Sequence, residues 1–368
     1  MKRIIIKIGS SSIIDESSVF KTEVLLELTK QIKDLKNNDY DVMLVSSGAI
    51  GAGMNKLGLK SRPKNMALKQ ACAALGQASL MKIYEDIFSL FHLKCAQILV
   101  GHDDFENRGR MVHLSNTLEA LFNKGVIPIV NENDALAVDE IKVGDNDTLG
   151  ALLVPMINAS KLVLITDVKG LYTGNPSLPS SKLIPFVDNI DDSIWDLVVY
   201  TNSQLGTGGM ETKLKAGVIA NDFGSDMIIM GNEDISFLSK SLDGGVGTLF
   251  KGNRLLSSRG HWLLFKNNSK GIIKIDPGAM KALKERHSLL PKGIIEVIQD
   301  FGANACVDIM CNEEFVAKGI VNYSSDLLNV YLKGNYVIKK EVIHADNLIL
   351  IGGRYGRFIK PISQNERG

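Results

Sequence analysis

The first apolar run of the chain contains a lysine near its end and is followed by a glycine-bearing turn. The run covers residues 3–8, contains Lys7 and leads directly into Gly9 and Ser10. Glycine lets the backbone approach an anion closely, consecutive amides can point at phosphate oxygens, and a lysine adds a full positive charge. These residue types in this order suit a phosphate group.

Five more segments of this kind follow apolar runs or precede a helical pattern. They combine glycine, hydroxyl, amide or acidic residues and comprise residues 46–53, 131–134, 145–147, 166–170 and 206–213. The backbone amides and two hydroxyls of the first of them suit a carboxylate or a phosphate. We predict that residues 145–147 lie in a loop and that residues 206–213 lead into a helix.

These segments lack the common nucleotide-binding and hydrolase motifs. None matches the P-loop pattern G-x-x-x-x-G-K-[S/T], the dinucleotide pattern G-x-G-x-x-G or a nucleophile elbow. Phosphoryl transfer needs no reactive side chain, because positioning and charge neutralisation around a γ-phosphate are sufficient. Two lysines, backbone amides and a metal ion would supply that neutralisation.

Each segment taken alone also has an ordinary structural explanation. A single lysine after a strand is usually solvated, and a glycine-rich turn is usually only a turn. Ser46 and Ser47 could cap a helix, and an Asp-Asn-Asp run is more often a surface turn than a metal site. What favours a functional site is that the segments are expected to converge at one end of a parallel sheet.

The chain around these segments alternates strand-like runs with helical patterns. Apolar runs without polar alternation, as in strands buried on both faces, occur at residues 3–8, 41–46, 96–100, 126–131, 161–166 and 226–230. Helices are predicted at residues 25–35, 66–91 and 212–222. This order predicts an α/β fold, a three-layer and mainly parallel sheet with helices on both faces. Ligands bind such sheets beyond the carboxyl ends of the strands.

The pattern changes after about residue 255. Shorter strands separated by Gly, Asn and Ser are predicted at residues 271–276, 293–299, 305–310, 316–321 and 348–352. One helix is predicted at residues 278–286. We therefore expect a first domain at residues 1–255, a linker at residues 256–270 and a small β-rich domain at residues 271–368.

Composition indicates a globular protein of the cytoplasm. Of 368 residues, 45% are hydrophobic and 23% are charged, with 42 basic against 41 acidic side chains, so no overall field favours nucleic acid or a membrane. From Arg259 onward, 16 basic and 11 acidic residues give +5, and the remaining 26 and 30 give −4. The four cysteines show no metal-ligand spacing. No signal peptide or membrane span is visible.

The chain resembles the amino acid kinase family, and within it the branch that acts on free glutamate. The resemblance covers nearly the whole chain and rests on residues 45–50, 131–134, 142–147, 166–172 and 206–210. The first and fourth of these have relatives across the wider family, whereas the Asn-Glu-Asn-Asp and Gly-Asp-Asn-Asp sequences point to the glutamate branch. The implied activity is ATP-dependent phosphorylation of the L-glutamate side-chain carboxylate to L-glutamyl 5-phosphate, the first step of proline biosynthesis.

The resemblance also implies a role for each matching residue. Lys7 and Lys213 would be catalytic and stabilise the transferring phosphoryl group, and Asp147 would hold both lysines in position. L-glutamate would be bound by Ser47, Asp134 and Asn146. Besides the two lysines, ATP would be bound by Gly9, Ser10, Thr166, Asp167, Thr207, Gly208, Gly209, Met210, Glu211 and Thr212. Mg²⁺ is expected largely on phosphate oxygens, because it retains water and uses few protein ligands.

The stretch from about residue 271 resembles a PUA domain, a small β-rich module otherwise found in RNA-modifying enzymes. The matching residues are 276–279, 288–293 and 317–319, and the resemblance thins beyond about Tyr331. The kinase family implies a homo-oligomer, either a dimer or a tetramer, and feedback inhibition by L-proline. RNA binding is an alternative function that the sequence supports weakly, because no cluster of basic and aromatic residues is present.

Two other readings of the kinase-like region stay open. A kinase of the same fold could act on aspartate, acetylglutamate, carbamate or a nucleotide, because a fold does not specify a substrate. Residues 131–134 and 145–147, together with the C-terminal domain, favour free glutamate. A degenerate, non-catalytic homologue is disfavoured because both lysines and Asp147 are present.

Overall fold

The computed structural model describes residues 2–136, 145–199, 209–253, 256–265 and 269–351. The chain divides into two compact units, Met1–Leu255 and Leu256–Gly368. Each unit has its own sheet and its own buried core.

The first unit is built on an eight-stranded sheet. Its strands are β1 (Lys2–Ile8), β2 (Tyr40–Ser46), β3 (Lys94–Val100), β4 (Val126–Glu132), β5 (Lys161–Thr166), β6 (Phe186–Val187), β7 (Asp226–Gly231) and β8 (Thr248–Phe250). Their order is β3-β4-β2-β1-β5-β7-β8-β6, and every neighbouring pair is parallel except β7 with β8. The sequence pattern does not predict β6 and β8, because strands of two and three residues show no periodicity.

Helices connect the strands of this sheet. They are α1 (Ser10–Ile13), α2 (Thr22–Asn37), α3 (Ala49–Lys56), α4 (Met66–Leu90), α5 (His102–Glu106), α6 (Arg108–Asn123), α7 (Asn146–Ile157), α8 (Asp192–Val199), α9 (Met210–Phe223) and α10 (Leu238–Ser241). The helices predicted at residues 25–35, 66–91 and 212–222 are therefore confirmed as parts of α2, α4 and α9.

The residues of β1 show why the sheet has helices on both faces. Ile4, Ile6 and Ile8 belong to one buried cluster with apolar residues of α2 and α4. Alternate residues of a strand point to opposite faces, and Ile5 and Lys7 approach α7 instead, close to its Gly150. The three-layer α/β fold expected from the sequence is thereby confirmed.

Helices α3 and α4 approach one another at two glycines. A Cβ atom at Gly53 would lie 1.9 Å from the carbonyl oxygen of Cys72, and one at Gly76 would lie 1.8 Å from that of Ala49. Only glycine permits so close an approach of two backbones. Helix α4 therefore packs closely against α3, the helix that directly follows β2.

Among its described residues, the second unit has a five-stranded sheet and three helices. The strands, in the order β10-β9-β11-β12-β13, are β9 (Ile272–Ile275), β10 (Ile294–Ile298), β11 (Cys306–Cys311), β12 (Glu314–Ile320) and β13 (Leu348–Leu350). The helices are α11 (Ser258–Phe265), α12 (Pro277–Lys284) and α13 (Ser325–Leu332). The predicted small β-rich domain is present. The segment expected to be a linker, residues 256–270, contains α11, which contacts β12 and β13.

The state of the cysteines and the character of the helices bear on the expectations drawn from composition. All four cysteines are free thiols, and burial raises the pKa of both Cys95 and Cys306 to about 11, so these two are poorly reactive at neutral pH. Across the described ranges, the structure contains no helix with the length and apolar character needed to cross a membrane.

Candidate active site

Lys7, Asp147 and Lys213 form one charged group at the carboxyl end of β1. The Nζ atom of Lys7 lies 2.7 Å from Oδ1 of Asp147, and Nζ of Lys213 lies 3.2 Å from Oδ2 of the same carboxylate. The three residues belong to β1, α7 and α9, and α7 packs against both other elements. One carboxylate thus bridges two ammonium groups, one on each of its oxygens.

This group is almost fully withdrawn from solvent. Lys7 is 8%, Asp147 1% and Lys213 5% exposed. Burial by itself would raise the pKa of Asp147, but the charges and hydrogen bonds of the two lysines outweigh it and keep that pKa below its usual value. Asp147 is therefore ionised at neutral pH. With both lysines protonated, the group carries one net positive charge, which suits a phosphate.

Asn146 and Asp147 lie in the first turn of α7, so the prediction that residues 145–147 form a loop is wrong. Asp145 caps this helix, with Oδ1 accepting a hydrogen bond from the backbone amide of Thr148 at 2.8 Å. Burial and the neighbouring charge of Asp147 raise the pKa of Asp145. The sequence pattern misleads because an Asp-Asn-Asp run also occurs in turns. The rest of α7 is apolar on nearly every side and shows no helical stripe.

Two of the predicted substrate residues, Ser47 and Asn146, are in direct contact. The Nδ2 atom of Asn146 lies 2.7 Å from Oγ of Ser47 and 3.0 Å from Oδ1 of Asn131. Asn131 in turn donates from its Nδ2 to Oε1 of Gln77 at 3.0 Å. The family resemblance implies no role for Asn131 or Gln77. Asn131 belongs to a segment already singled out, whereas nothing in the sequence marks Gln77 within α4.

Asp134, the third predicted substrate residue, lines a cavity of about 250 Å³. Gln77 and Glu132 line the same cavity. Because Gln77 is bonded to Asn131, the row of hydrogen-bonded side chains that starts at Ser47 reaches the wall of this cavity. The structure therefore brings Ser47 and Asn146 into direct contact and places Asp134 in the cavity that Gln77, the last member of the row, also lines.

The predicted nucleotide residues near the sheet lie at the ends of β1 and β5. The backbone amide of Gly9 donates to the carbonyl oxygen of Ile165 at 3.3 Å, which ties the two strand ends together. A Cβ atom at Gly9 would lie 3.7 Å from Nζ of Lys7, so the glycine borders the charged group. Ser10 follows and is exposed. Thr166 donates from Oγ1 to Oδ1 of Asp167 at 2.8 Å.

The remaining nucleotide residues belong to the start of α9. Gly209 directly precedes the helix, and its first turn contains Met210, Glu211, Thr212 and Lys213. The hydroxyl of Thr212 donates to the carbonyl oxygen of Gly209 at 2.8 Å. The free backbone amides of a helix N-terminus favour an anion. Thr207 and Gly208 lie outside the described residues, as do residues 142–144.

The charged group does not resemble a protein-bound metal centre. Within the described ranges, no three His, Cys, Asp or Glu side chains come together in a way that could hold a metal ion. Asp147 already pairs with two lysines. The donor set is instead compatible with Mg²⁺ carried on nucleotide phosphates, because this ion retains water and needs few protein ligands.

Comparisons with known sequences find matches for both units of the chain. The family model described as "Amino acid kinase family" matches residues 2–231, and the one described as "PUA domain" matches residues 271–343. A protein of Thermoanaerobacter sp. (strain X514) named Glutamate 5-kinase is 38% identical over 371 residues, which cover 96% of this chain and 100% of that protein. A Glutamate 5-kinase of Geobacter sulfurreducens is 38% identical over 365 residues, covering 95% of this chain and 98% of its own length.

A solved structure shares the fold of the first unit. Carbamate kinase from Giardia lamblia bound to AMP-PNP superposes with a TM-score of 0.52 at 16% identity, covering 68% of this chain and 99% of its own. At that identity the likeness shows the fold alone. The near-complete coverage of the sequence relatives goes further. The chain belongs to the amino acid kinase family and, within it, to the glutamate 5-kinases with a C-terminal PUA domain.

Proposed function

We propose that this chain transfers the γ-phosphoryl group of ATP to the side-chain carboxylate of L-glutamate, releasing ADP and L-glutamyl 5-phosphate. Full-length relatives named Glutamate 5-kinase support the proposal. The observation that carries it is the group of Lys7, Asp147 and Lys213, which offers buried positive charge where a γ-phosphate needs neutralisation. The reaction is the first step of proline biosynthesis.

The reaction needs no general base. A side-chain carboxyl group with a pKa near ~4 is already ionised at pH 7. One carboxylate oxygen forms the new bond to the γ-phosphorus while the bond from that phosphorus to the bridging oxygen breaks, and the electron pair leaves with ADP. Lys7 and Lys213 stabilise the negative charge on the transferring group. Asp147 keeps both Nζ atoms in place before the substrates arrive.

Two kinds of polar group would hold the glutamate. The Ser47 hydroxyl can donate to a carboxylate of the substrate, and the Asp134 carboxylate can pair with its ammonium group. Asn146 places a third polar group beside Ser47. The cavity lined by Asp134 would provide space for part of the amino acid.

ATP would be bound at the strand and helix ends described above. Gly9 and Ser10 would supply backbone amides to the phosphates, with Thr166 and Asp167 at the end of the neighbouring strand. The segment from Thr207 to Lys213 would complete this site. Mg²⁺ bound to the phosphate oxygens would supply additional charge neutralisation.

The assay that tests this function compares acceptors. Purified protein is given Mg-ATP with glutamate, aspartate, acetylglutamate, or bicarbonate plus ammonia, and ADP release is measured with hydroxylamine present to trap an acyl phosphate. The expected result is ADP release and hydroxamate formation with glutamate. ADP release with another acceptor would reassign the substrate, and none with any acceptor would contradict the proposal.

Several further properties follow from the family and belong to the same proposal. They are domain limits at residues 1–255 and 271–368, a dimeric or tetrameric assembly, inhibition by L-proline and a cytoplasmic location. RNA binding by the second unit is the alternative function. Binding of the protein to RNA that persists as the salt concentration is raised would favour this function. No binding at physiological salt, or binding that does not depend on the RNA sequence, would disfavour it.

A further inference from the structure

A row of three side-chain amides runs inward from Ser47 and ends on Gln77. Asn146 donates to Ser47 and to Asn131, and Asn131 donates from Nδ2 to Oε1 of Gln77 at 3.0 Å. Asn131 is 2% and Gln77 is 9% exposed. Buried hydrogen-bond networks of this kind hold their members in one orientation, because an unsatisfied buried group is costly.

The backbone sets the direction of this row. The amide of Glu132 donates to Oδ1 of Asn131 at 2.9 Å, so this oxygen faces both that amide and Nδ2 of Asn146. If the Asn131 amide were flipped, its own Nδ2 would face two donors and its oxygen would face the oxygen of Gln77. Gln77 accepts a hydrogen bond from Nδ2 of Asn131, so the observed orientation gives each Asn131 atom complementary partners.

Asn131 contributes to the orientation of Asn146, together with the Ser47 hydroxyl and the backbone carbonyl oxygen of Ser46 at 3.4 Å. Because Nδ2 of Asn146 donates to Ser47 and Asn131, its carbonyl Oδ1 is the atom that can accept a hydrogen bond from a ligand. An ammonium group is a donor, whereas ionised carboxylates are acceptors only. In this orientation Asn146 suits the ammonium group of an amino acid and not its carboxylates.

We propose that Gln77 is a positioning residue for the amino acid substrate and acts through Asn131 on Asn146. The inference rests on the proposed function and assigns a role to a helix residue that also lines the cavity beside Asp134. Without the Gln77 acceptor, the buried Nδ2 of Asn131 loses its partner. Asn131 then reorients, Asn146 follows, and the ammonium group of glutamate loses its acceptor.

The substitution Gln77→Met tests this role, because methionine has a similar length and lacks the amide oxygen. Loss of one buried hydrogen bond is expected to raise the KM for glutamate about tenfold, while the KM for ATP stays within about twofold. The matched control is Gln31→Met. Gln31 is a buried glutamine of α2, 7% exposed, that donates to Glu27 at 2.9 Å. Its substitution should leave the KM for glutamate unchanged even if it lowers the Tm.

A double-mutant cycle separates positioning from direct contact. In an Asn131→Ala background, Gln77→Met should raise the KM for glutamate by less than about twofold, because its effect passes through Asn131. A full further increase there would show that Gln77 contacts the substrate, and would overturn the proposal. If Asn131→Ala does not fold, Gln77→Asn takes its place. Its side chain is one methylene too short to reach Asn131, so an unchanged KM for glutamate would overturn the proposal as well.

The two proposals fail in different ways. An unchanged KM for glutamate in Gln77→Met, with normal glutamate-dependent ADP release, would remove the positioning role and leave the proposed function intact. A wild-type chain that releases no ADP with glutamate would overturn the proposed function and this inference with it.

Discussion

Asp147 links the stability of the first unit to its chemistry. It is 1% exposed and pairs with two lysines, which are themselves buried. Removing one member of a buried ion pair leaves an uncompensated charge and is strongly destabilising. The same arrangement holds two ammonium groups at one carboxylate, where the proposed function places the phosphoryl group. If that function is correct, the carboxylate holds in the free protein the geometry that the phosphoryl group needs.

At the residue scale, Lys7→Ala and Lys213→Ala should each lower turnover far more than they weaken ATP binding. Removing one preorganised donor to a transition state typically costs roughly 10²–10³-fold in turnover. Steady-state kinetics and ATP titration by calorimetry measure the two quantities. Lys82→Ala is the control, since the side chain of Lys82 is 69% exposed and pairs with Asp86 on the surface. Near-normal turnover in either lysine variant would exclude a transition-state role for that lysine.

Asp134→Ala should mainly raise the glutamate concentration required for activity. Loss of a hydrogen bond to a charged group costs roughly 1.5–3 kcal/mol, so the KM for glutamate should rise by about one to two orders of magnitude. The KM for ATP should change little. Both KM values are measured in Asp134→Ala, in the surface control Asp86→Ala and in the wild-type chain. If the glutamate dependence is the same in all three proteins, Asp134 does not bind the substrate.

At the element scale, the site is made where one strand ends and two helices begin. Asp147 lies in the first turn of α7, where the positive end of the helix dipole stabilises a carboxylate. Lys213 lies in the first turn of α9, where the dipole disfavours a cation. The Asp147 carboxylate compensates for that unfavourable position. A phosphate bound there would gain from both the lysine and the helix end.

The close contact between α3 and α4 predicts that a larger residue at position 76 destabilises the first unit. In Gly76→Ala, the new Cβ would meet the carbonyl oxygen of Ala49 at 1.8 Å, so the two helices must separate. Overpacking of this kind costs about 3 kcal/mol, and the Tm should fall by on the order of 10 °C. Thermal unfolding measures this change. Gly302→Ala is the control, because nothing lies within 4 Å of a Cβ atom there. An unchanged Tm in Gly76→Ala would contradict the close helix contact.

At the scale of the whole molecule, the predicted site residues that the structure describes all belong to the first unit. The group of Lys7, Asp147 and Lys213, the amide row and the cavity are each built from residues before 255. The second unit has a separate core formed by its own strands and helices. Its contribution to the reaction is therefore expected to be indirect.

Deletion of the second unit tests that expectation. A chain that ends at residue 255 should fold and retain glutamate-dependent ADP release, with turnover within about tenfold of the full chain, because its sheet and core are complete. Circular dichroism establishes folding and the ADP assay establishes activity. A folded but inactive first unit would show that the second unit contributes to the site.

The main elements of the fold could be predicted because each carries its own pattern. Five of the six long strands of the first sheet, β1, β2, β4, β5 and β7, are apolar runs buried on both faces. The sixth, β3, lies at the edge of the sheet and is only partly buried, so the expectation of two buried faces is wrong for residues 96–100. Helix α2 has a helical stripe whose members, from Leu25 to Leu35, are at most 2% exposed. Helix α7 has no such stripe, and β6 and β8 are too short to show a period. Those elements depend on contacts with the rest of the sheet, so local sequence could not predict them.

The sequence by itself determined the fold class and the division into a kinase-like region and a small β-rich region. It also singled out Lys7, Lys213 and Asp147 as candidate site residues. Only the tertiary structure decided that one carboxylate bridges the two lysines, that Asn146 contacts Ser47, and that Gln77 completes the amide row. The reason is physical. Strand and helix patterns are local and repeat along the chain, whereas a hydrogen bond between residues 77 and 131 exists only after the sheet has brought distant segments together.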